Sequence, residues 1–217
     1  MKKIAIMQPY FFPYIGYFEL INKVDEFVFL TDVQYVKRSW ITRNKIKSHN
    51  KEFDLIKIDI KKHSQKTNIN QIEILDNKWK ELFFNKILHT YGKKSLSHPL
   101  MNFIEKLEHK LLKDFLCNSI MWISKYLNLN VNFIESENLS KKTKQDKIIE
   151  ICKKCNCETY VNAFNGKNLY STEEFKKNSI NLEFMELTTY ENKFSIVDLI
   201  LTEEDKIKKW LKSFSKK

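Results

Sequence analysis

The sequence predicts an α/β fold with a mostly parallel sheet, flanking helices and a helical insertion. Three observations predict it. Residues 130–187 have the order strand, helix, strand, helix and strand, which is typical of a parallel sheet. Residues 2–30 repeat that order once as strand, helix and strand. Between the two, apolar residues at helical spacing over about 78–127 predict an insertion within a single domain of residues 1–217.

The individual elements follow from hydrophobic periodicity. Short apolar or alternating runs predict strands at residues 2–7, 26–30, 53–60, 130–135, 158–162 and 181–187. Apolar residues three or four positions apart predict helices at 14–23, 143–155, 171–178 and 203–213, besides those of the insertion. His98-Pro99 predicts a boundary inside the insertion, because a residue before proline is disfavoured in helical backbone.

The composition excludes a disordered chain and a membrane-spanning one. Of 217 residues, 42% are hydrophobic and 13% aromatic, so the chain can bury a substantial core. No apolar run approaches the ~20 residues that a membrane helix needs. The apolar run after Met1-Lys2-Lys3 is too short for a signal peptide. We therefore expect a cytoplasmic protein with reduced thiols.

The chain is strongly basic, with a net charge of +11 from 38 basic and 27 acidic side chains. Such a field attracts polyanions, including nucleic acid, phosphorylated small molecules and acidic membranes. Drift towards lysine across the surface explains the excess equally well. Because the basic residues are spread along the chain, no compact block predicts a nucleic-acid-binding arm.

The four cysteines do not predict a metal site. Cys152, Cys155 and Cys157 straddle a predicted helix end, and Cys117 is distant in sequence. A structural zinc site normally takes four ligands. No histidine lies near these three cysteines in the sequence, so the set of ligands is incomplete. We predict reduced thiols that are buried or loosely exposed, rather than a metal site.

The segment after the first predicted strand, residues 8–17, is the strongest candidate for a ligand site. In nucleotide-binding-like sheets, ligands bind at the carboxyl ends of strands, where helix N-termini offer free N–H groups. Gln8 and Tyr10 are polar groups in an aromatic setting, and Tyr10 is suited to stacking on a base or sugar. Gly16 would let the backbone approach a phosphate. The phenylalanines of this segment are interpreted as core residues.

The segment after the second predicted strand faces the same edge of the sheet. Asp32 is a candidate for orienting an amine or a ribose hydroxyl, for accepting a proton or for holding Mg²⁺, and Gln34 is a candidate substrate contact. Lys37 lies close to Arg38 and Arg43, which are the only arginines of the chain. Their planar guanidinium groups suit bidentate binding of phosphate or carboxylate. A solvated salt bridge is the alternative for either arginine.

Later segments add further candidates. Asn162, Gly166 and Lys167 follow another predicted strand, where Gly166 is expected to have a positive φ and Lys167 to meet a phosphate. Ser195 and Asp198 have two interpretations, a helix cap and a substrate contact, and both remain open.

Two histidines of the insertion are candidate bases. His89 and His98 bracket a basic loop, and either would deprotonate an attacking amine if the insertion folds back over the sheet. A packing or surface role is the alternative for both.

These segments resemble a known family. Residues 8–46 have the sequence QPYFFPYIGYFELINKVDEFVFLTDVQYVKRSWITRNKI, which is similar to the opening of the WbqC-like family of bacterial O-antigen and capsule gene sets. The resemblance continues at Tyr91, Pro99 and Asn118 and over residues 143–160, 162–170 and 194–199. The chain departs from the family at Asn162-Ala163, where Ser-Gly is usual, and in the segment before Phe194.

The resemblance implies an enzyme of lipopolysaccharide or capsule biosynthesis. Such a transferase, or ATP-dependent amide-forming ligase, adds a small aminoacyl or acyl group to the amino group of a nucleotide-linked deoxyamino sugar. The donor is either an adenylate made from ATP with Mg²⁺ or an aminoacyl-tRNA, and the sequence leaves both open. The alternative is a non-catalytic module that binds a nucleotide sugar or an assembly partner.

Overall fold

The structure is a computed structural model that describes residues 1–186 and 188–213, except for the side chains of Phe164 and Asn165. Within these residues, five strands form a parallel sheet in the order β5-β2-β1-β6-β7, and two more form an antiparallel hairpin. This confirms the predicted α/β class. The strands are β1 (Lys3–Met7), β2 (Glu26–Phe29), β3 (Arg43–Ile46), β4 (Asp54–Lys57), β5 (Asn132–Glu135), β6 (Thr159–Ala163) and β7 (Asn181–Met185).

Seven α-helices occur in the described part of the chain. They are α1 (Ile15–Asn22), α2 (Lys78–Tyr91), α3 (Pro99–Lys106), α4 (Leu112–Tyr126), α5 (Lys144–Lys154), α6 (Thr172–Lys177) and α7 (Ile196–Ser213). None of the described helices is long and apolar enough to cross a membrane.

The sheet is wound in two directions from its central strand. The chain leaves β1 towards β2 and β5, then returns to the other side of β1 for β6 and β7. Because crossovers between parallel strands are right-handed, α1 and α4 cover one face, and α5 and α6 cover the other. The strand order therefore reverses between β1 and β6.

Each face of the sheet has its own hydrophobic core. Ala5 and Phe27 point towards the face covered by α1 and α4, whereas Ile4, Ile6 and Val28 point towards α5 and α6. This follows from the alternation of side chains along a strand, and burial on both faces makes the strands almost continuously apolar. The four cysteines are buried and unbridged, as predicted for thiols.

The insertion between β2 and β5 contains the β3–β4 hairpin and helices α2 to α4. Aromatic rings join it to the loop after β1. Phe11 lies 5.8 Å from Trp79, and Phe12 lies 5.7 Å from Phe83, between ring centroids. Phe11 and Phe12 are fully buried, which confirms their interpretation as core residues.

Three elements differ from the predicted ones. β3 was missed because Arg43–Ile46 is short and polar, although it alternates half-buried and buried residues. α7 begins at Ile196 rather than at 203, because its first turns are buried on most sides and lack helical periodicity. The chain leaves helical geometry at Glu203, with φ −138° and ψ 29°, where the predicted helix began. β7 ends at Met185, and Leu187 of the predicted strand lies outside the described residues.

Candidate functional site

We infer a crevice between the carboxyl ends of β1 and β6, because their pairing ends early. These strands pair only from Lys3↔Thr159 to Ile4↔Tyr160. Each stays paired with its other neighbour much further, to Met7↔Phe29 for β1 and to Ala163↔Met185 for β6. The two central strands therefore separate towards their carboxyl ends, at the point where the strand order reverses. In doubly wound sheets, this is where ligands bind.

Gln8 and Tyr10 lie on the β1 side of this crevice. The Tyr17 hydroxyl donates a hydrogen bond to the Gln8 carbonyl at 3.0 Å, and the Tyr10 ring lies 5.7 Å from the Tyr17 ring. Burial, with a smaller contribution from Tyr14, raises the pKa of Tyr10. Burial, followed by Glu19, also raises the pKa of Tyr14. Both phenols therefore stay neutral near pH 7 and can donate hydrogen bonds.

Asn44 of β3 fixes the loop after β1. Its side-chain amide donates to the Phe11 carbonyl at 3.1 Å and to the Phe12 carbonyl at 2.7 Å. Phe12 has a φ of 44°, which is an outlier for a bulky residue and persists only where the surroundings hold it. Asn44 was not predicted from the sequence. The signal that could have identified it is a polar residue at a position of β3 where the alternation places buried side chains.

The packing of Tyr14 explains why position 16 is a glycine. A Cβ atom there would lie 2.5 Å from Cε2 and 2.7 Å from the hydroxyl of Tyr14. The Tyr14 ring thus occupies the space next to Gly16, and a phosphate could reach this backbone only if Tyr14 moved.

On the β6 side of the crevice, the Asn162 side chain packs over Gly166. A Cβ atom at Gly166 would lie 3.0 Å from Cγ of Asn162 and closer still to its amide nitrogen. The prediction of a positive φ at Gly166 is wrong. Among the glycines of the described residues, only Gly92 has a positive φ. The glycine is required by the close approach of Asn162. Lys167, one residue later, is exposed.

Asp32 lies near this edge but is held by the protein itself. Its Oδ2 accepts a hydrogen bond from Lys147 Nζ at 2.6 Å, and its Oδ1 accepts one from the Ser136 hydroxyl. Lys147, only 5% exposed, also donates to the Ser140 carbonyl at 3.0 Å. Both carboxylate oxygens of Asp32 therefore already accept hydrogen bonds from the protein itself.

Lys147 was not predicted from the sequence. Its position four residues before Ile151 puts it on the buried face of α5, and that spacing was the available signal.

The loop after β2 meets the loop after β1. The Phe11 N–H donates to the Trp40 carbonyl at 2.9 Å, and Gln34 is tied to the Gln65 carbonyl at 2.8 Å. Lys37 and Arg38 are exposed, and neither forms an ion pair within the described residues. Arg38 has a φ of 56°, in the left-handed region. This loop therefore presents two unpaired cations beside the first loop.

Arg43 and Asn44 lie on opposite faces of the β3–β4 hairpin. Successive residues of a strand point to opposite faces, and Asn44 faces the loop after β1, so Arg43 leaves the other face of the hairpin. Arg43 lies across from Lys57, and its Nε is buried with no hydrogen-bond partner among the described residues.

His98 lies far from the carboxyl edge. Lys113, in the first turn of α4, contacts Glu135 at the carboxyl end of β5 at 2.7 Å. Tyr126, the last residue of α4, contacts His98 at 3.2 Å and so lies about 20 Å further along the helix. Nδ1 of His98 accepts the Leu100 N–H at 3.2 Å and thereby caps α3. His89 is exposed on α2, with its ring 6.0 Å from the ring of His49. Within the described residues, no hydrogen bond or ring contact joins either histidine to Gln8.

Ser195 and Asp198 are buried and connect separate segments. Ser195 Oγ donates to the Phe12 carbonyl at 2.7 Å and accepts the Val197 N–H at 3.3 Å, which supports the cap interpretation. Asp198 does not complete a capping box, because its carboxylate faces other groups. It accepts hydrogen bonds from the Lys47 N–H, the Asn192 amide and the Tyr91 hydroxyl.

The model of the WbqC-like protein family matches residues 8–209. The chain belongs to the WbqC-like family. It is also similar to "Uncharacterized protein Rv1507c" of Mycobacterium tuberculosis (strain ATCC 25618 / H37Rv), with 54% identity over 48 residues. That match covers 22% of this chain and only 21% of the relative. No solved structure matches this WbqC-like protein.

The described residues of this WbqC-like protein include one candidate magnesium ligand that the sequence predicted, Asp32. They contain no group of three or more His, Cys, Asp or Glu side chains arranged to hold a metal ion. Asp32, the first candidate ligand, is committed to Lys147 and Ser136.

Proposed function

We propose that this WbqC-like protein transfers a small aminoacyl or acyl group to the amino group of a nucleotide-linked deoxyamino sugar in bacterial surface-polysaccharide biosynthesis. The observation that carries the proposal is the crevice between the separating ends of β1 and β6. A doubly wound sheet binds nucleotides at this position. Membership of the WbqC-like family supports the choice of pathway.

Each side of the crevice has a role in the proposal. Gln8 and Tyr10 form its floor and hydrogen-bond the sugar, while Asn162 and Lys167 contact the ligand from the β6 side. The exposed cations of the loop after β2 neutralise the diphosphate, which is consistent with the net charge of +11. Ser195 and Asp198 act as positioning residues, because both are buried.

The proposed reaction is aminolysis. The sugar amine forms a bond to the acyl carbon, and the bond from that carbon to the donor oxygen breaks, with AMP or the tRNA ribose as leaving group. The amine loses one proton. Asp32 orients the amine and accepts its proton on a lone pair that Lys147 and Ser136 leave free.

A turnover assay tests the proposal. The protein is incubated with ATP, glycine and a dTDP-4-amino sugar, and separately with glycyl-tRNA in place of ATP and glycine. We expect an amide product, detected by mass, with one of the two donors. Absence of product with both donors would contradict the enzyme proposal.

A second candidate function is a non-catalytic module that binds a nucleotide sugar. The observation that favours it is the engagement of Asp32 by Lys147 and Ser136, together with the distance of His98 from the crevice. Tight binding of the dTDP-sugar without turnover under any donor would favour this function.

The two arginines provide a mutational test of diphosphate binding. We expect Arg38→Lys to weaken dTDP binding about tenfold, because lysine keeps the charge but loses the bidentate geometry. Arg43→Lys is the matched control, since Arg43 leaves the opposite face of the hairpin from Asn44. Calorimetric titration measures both. Unchanged affinity for Arg38→Lys, or a larger loss for Arg43→Lys, would contradict the assignment.

A further inference from the structure

Trp40 is an exposed aromatic residue of the loop after β2. It is 45% exposed, whereas Trp79 is 1% exposed. Within the described residues, its indole makes no ring contact and no hydrogen bond. Exposed tryptophans that are not packed against the protein are enriched where another molecule binds.

The backbone that carries Trp40 is nevertheless fixed. Its carbonyl accepts the Phe11 N–H at 2.9 Å, which joins it to the loop beside Tyr10. One residue earlier, the Ser39 hydroxyl donates to the Val36 carbonyl at 2.6 Å. The indole is therefore presented to solvent from a turn held in place, and little ordering entropy is lost when a ligand stacks on it.

The same turn carries the unpaired cations. Lys37 and Arg38 directly precede the Ser39-Trp40 pair, and both are exposed. The left-handed backbone of Arg38, with φ 56°, is a strained conformation of the kind found at ligand-binding turns. An aromatic face and two cations within four residues match a ligand with a planar ring and a short polyanion.

We propose that Trp40 stacks on the base of a nucleoside diphosphate whose phosphates lie against Arg38 and Lys37. This inference rests on the proposed function, because it assigns the nucleotide part of the same substrate to the loop after β2. Stacking is tolerant of base identity, since every base has a π-face. Trp40 thus supplies affinity for the nucleotide, and the crevice between β1 and β6 selects the sugar.

Titration of the full chain with dTDP and with inorganic pyrophosphate tests the inference. We expect dTDP, but not pyrophosphate, to quench the tryptophan fluorescence of the wild type. By calorimetry, Trp40→Ala should weaken dTDP binding about tenfold and leave pyrophosphate binding unchanged. Trp40→Phe should retain most of the affinity but lose the quenching. Leu82→Ala, which removes a 55% exposed side chain on α2, is the matched control and should bind normally.

The outcomes separate this inference from the proposed function. Equal dTDP affinity of Trp40→Ala and wild type, or equal affinity of the wild type for dTDP and pyrophosphate, overturns stacking on Trp40 while the proposed function stands. Failure of the wild type to bind any dTDP compound overturns both.

Discussion

Lys147 and Asp32 form a buried ion pair that joins α5 to the loop after β2. Lys147 is 5% exposed, and its Nζ lies 2.6 Å from Asp32 Oδ2. Removing one member of a buried pair leaves the other charge uncompensated, which costs more than the pair itself contributes. The two residues are 115 positions apart, so they fix elements that are distant in the chain.

We expect Lys147→Met to lower the free energy of unfolding by about 3 kcal/mol, because Asp32 would lose its counter-charge. Urea denaturation measures the change. The double variant Asp32→Asn/Lys147→Met should recover part of the loss. Lys153→Met, at an exposed position of the same helix, is the control and should change stability by less than about 0.5 kcal/mol. A loss as large for Lys153→Met would contradict the ion-pair explanation.

At the scale of elements, β3 braces the loop after β1. The Phe12 carbonyl accepts hydrogen bonds from both Asn44 and Ser195, each at 2.7 Å. Through these bonds, β3 and the start of α7 hold the unusual backbone of Phe12. They thereby also fix the loop that leads from β1 into α1. The site therefore depends on elements that do not themselves line the crevice.

Asn44→Ala should lower the free energy of unfolding by about 1–3 kcal/mol, since the buried Phe11 carbonyl loses its side-chain donor. It should also weaken dTDP binding, because the loop carrying Gln8 and Tyr10 is no longer fixed. Calorimetry and urea denaturation measure the two effects. Asn102→Ala, at an exposed position of α3, should leave both unchanged. Wild-type dTDP affinity in Asn44→Ala would show that the brace does not position the site.

Glu204 links the insertion helices α3 and α4 to α7. Burial opposes its ionisation, but hydrogen bonds from Lys208, Tyr126 and His98 outweigh that effect and lower the pKa of Glu204 to about 2. A depressed pKa means that the folded state favours the charged form. The resulting stability is present above the unfolded value of 4.5 and is lost as the pH falls towards about 2.

We expect Glu204→Gln to lower the free energy of unfolding by about 1–2 kcal/mol at neutral pH, allowing for the partial exposure of the carboxylate. The difference from wild type should shrink below about pH 4.5. Urea denaturation at a series of pH values measures it. Asp205→Asn, exposed on the same helix, should show no such dependence. A constant difference at all pH values would contradict the linkage.

At the scale of the whole molecule, one aromatic cluster connects the insertion to the sheet. Phe11 lies 5.8 Å from Trp79 and 6.0 Å from Phe115, so the loop after β1, α2 and α4 share a core. Such continuity favours unfolding of the insertion and the sheet as one unit.

We therefore expect a single cooperative urea transition. Its midpoint should be the same by far-ultraviolet circular dichroism, which reports all helices, and by tryptophan fluorescence, which includes Trp79 of the insertion. Phe115→Ala should shift both midpoints together. Separate midpoints for the two probes would show that the insertion is an independent unit.

The sequence by itself determined the class of the fold and most of its elements. The alternation of strands and helices over residues 130–187, and the burial of Phe11 and Phe12, follow from side-chain patterns within short stretches. Such patterns are local, because side chains two positions apart share a face of a strand, and side chains three or four positions apart share a face of a helix. Gln8 and Tyr10 were singled out on the same basis, from their position after a strand.

Only the tertiary structure decided the order of the strands, the separation of β1 from β6 and the partners of the polar residues. Asp32 pairs with Lys147, and Asn44 binds the carbonyls of the loop after β1, although the sequence indicated neither contact. These arrangements depend on contacts between residues far apart in the chain, and such contacts leave no periodic signal along it. Packing of the two layers of helices on the sheet brings the partners together, and it therefore decides which polar groups remain available to a ligand.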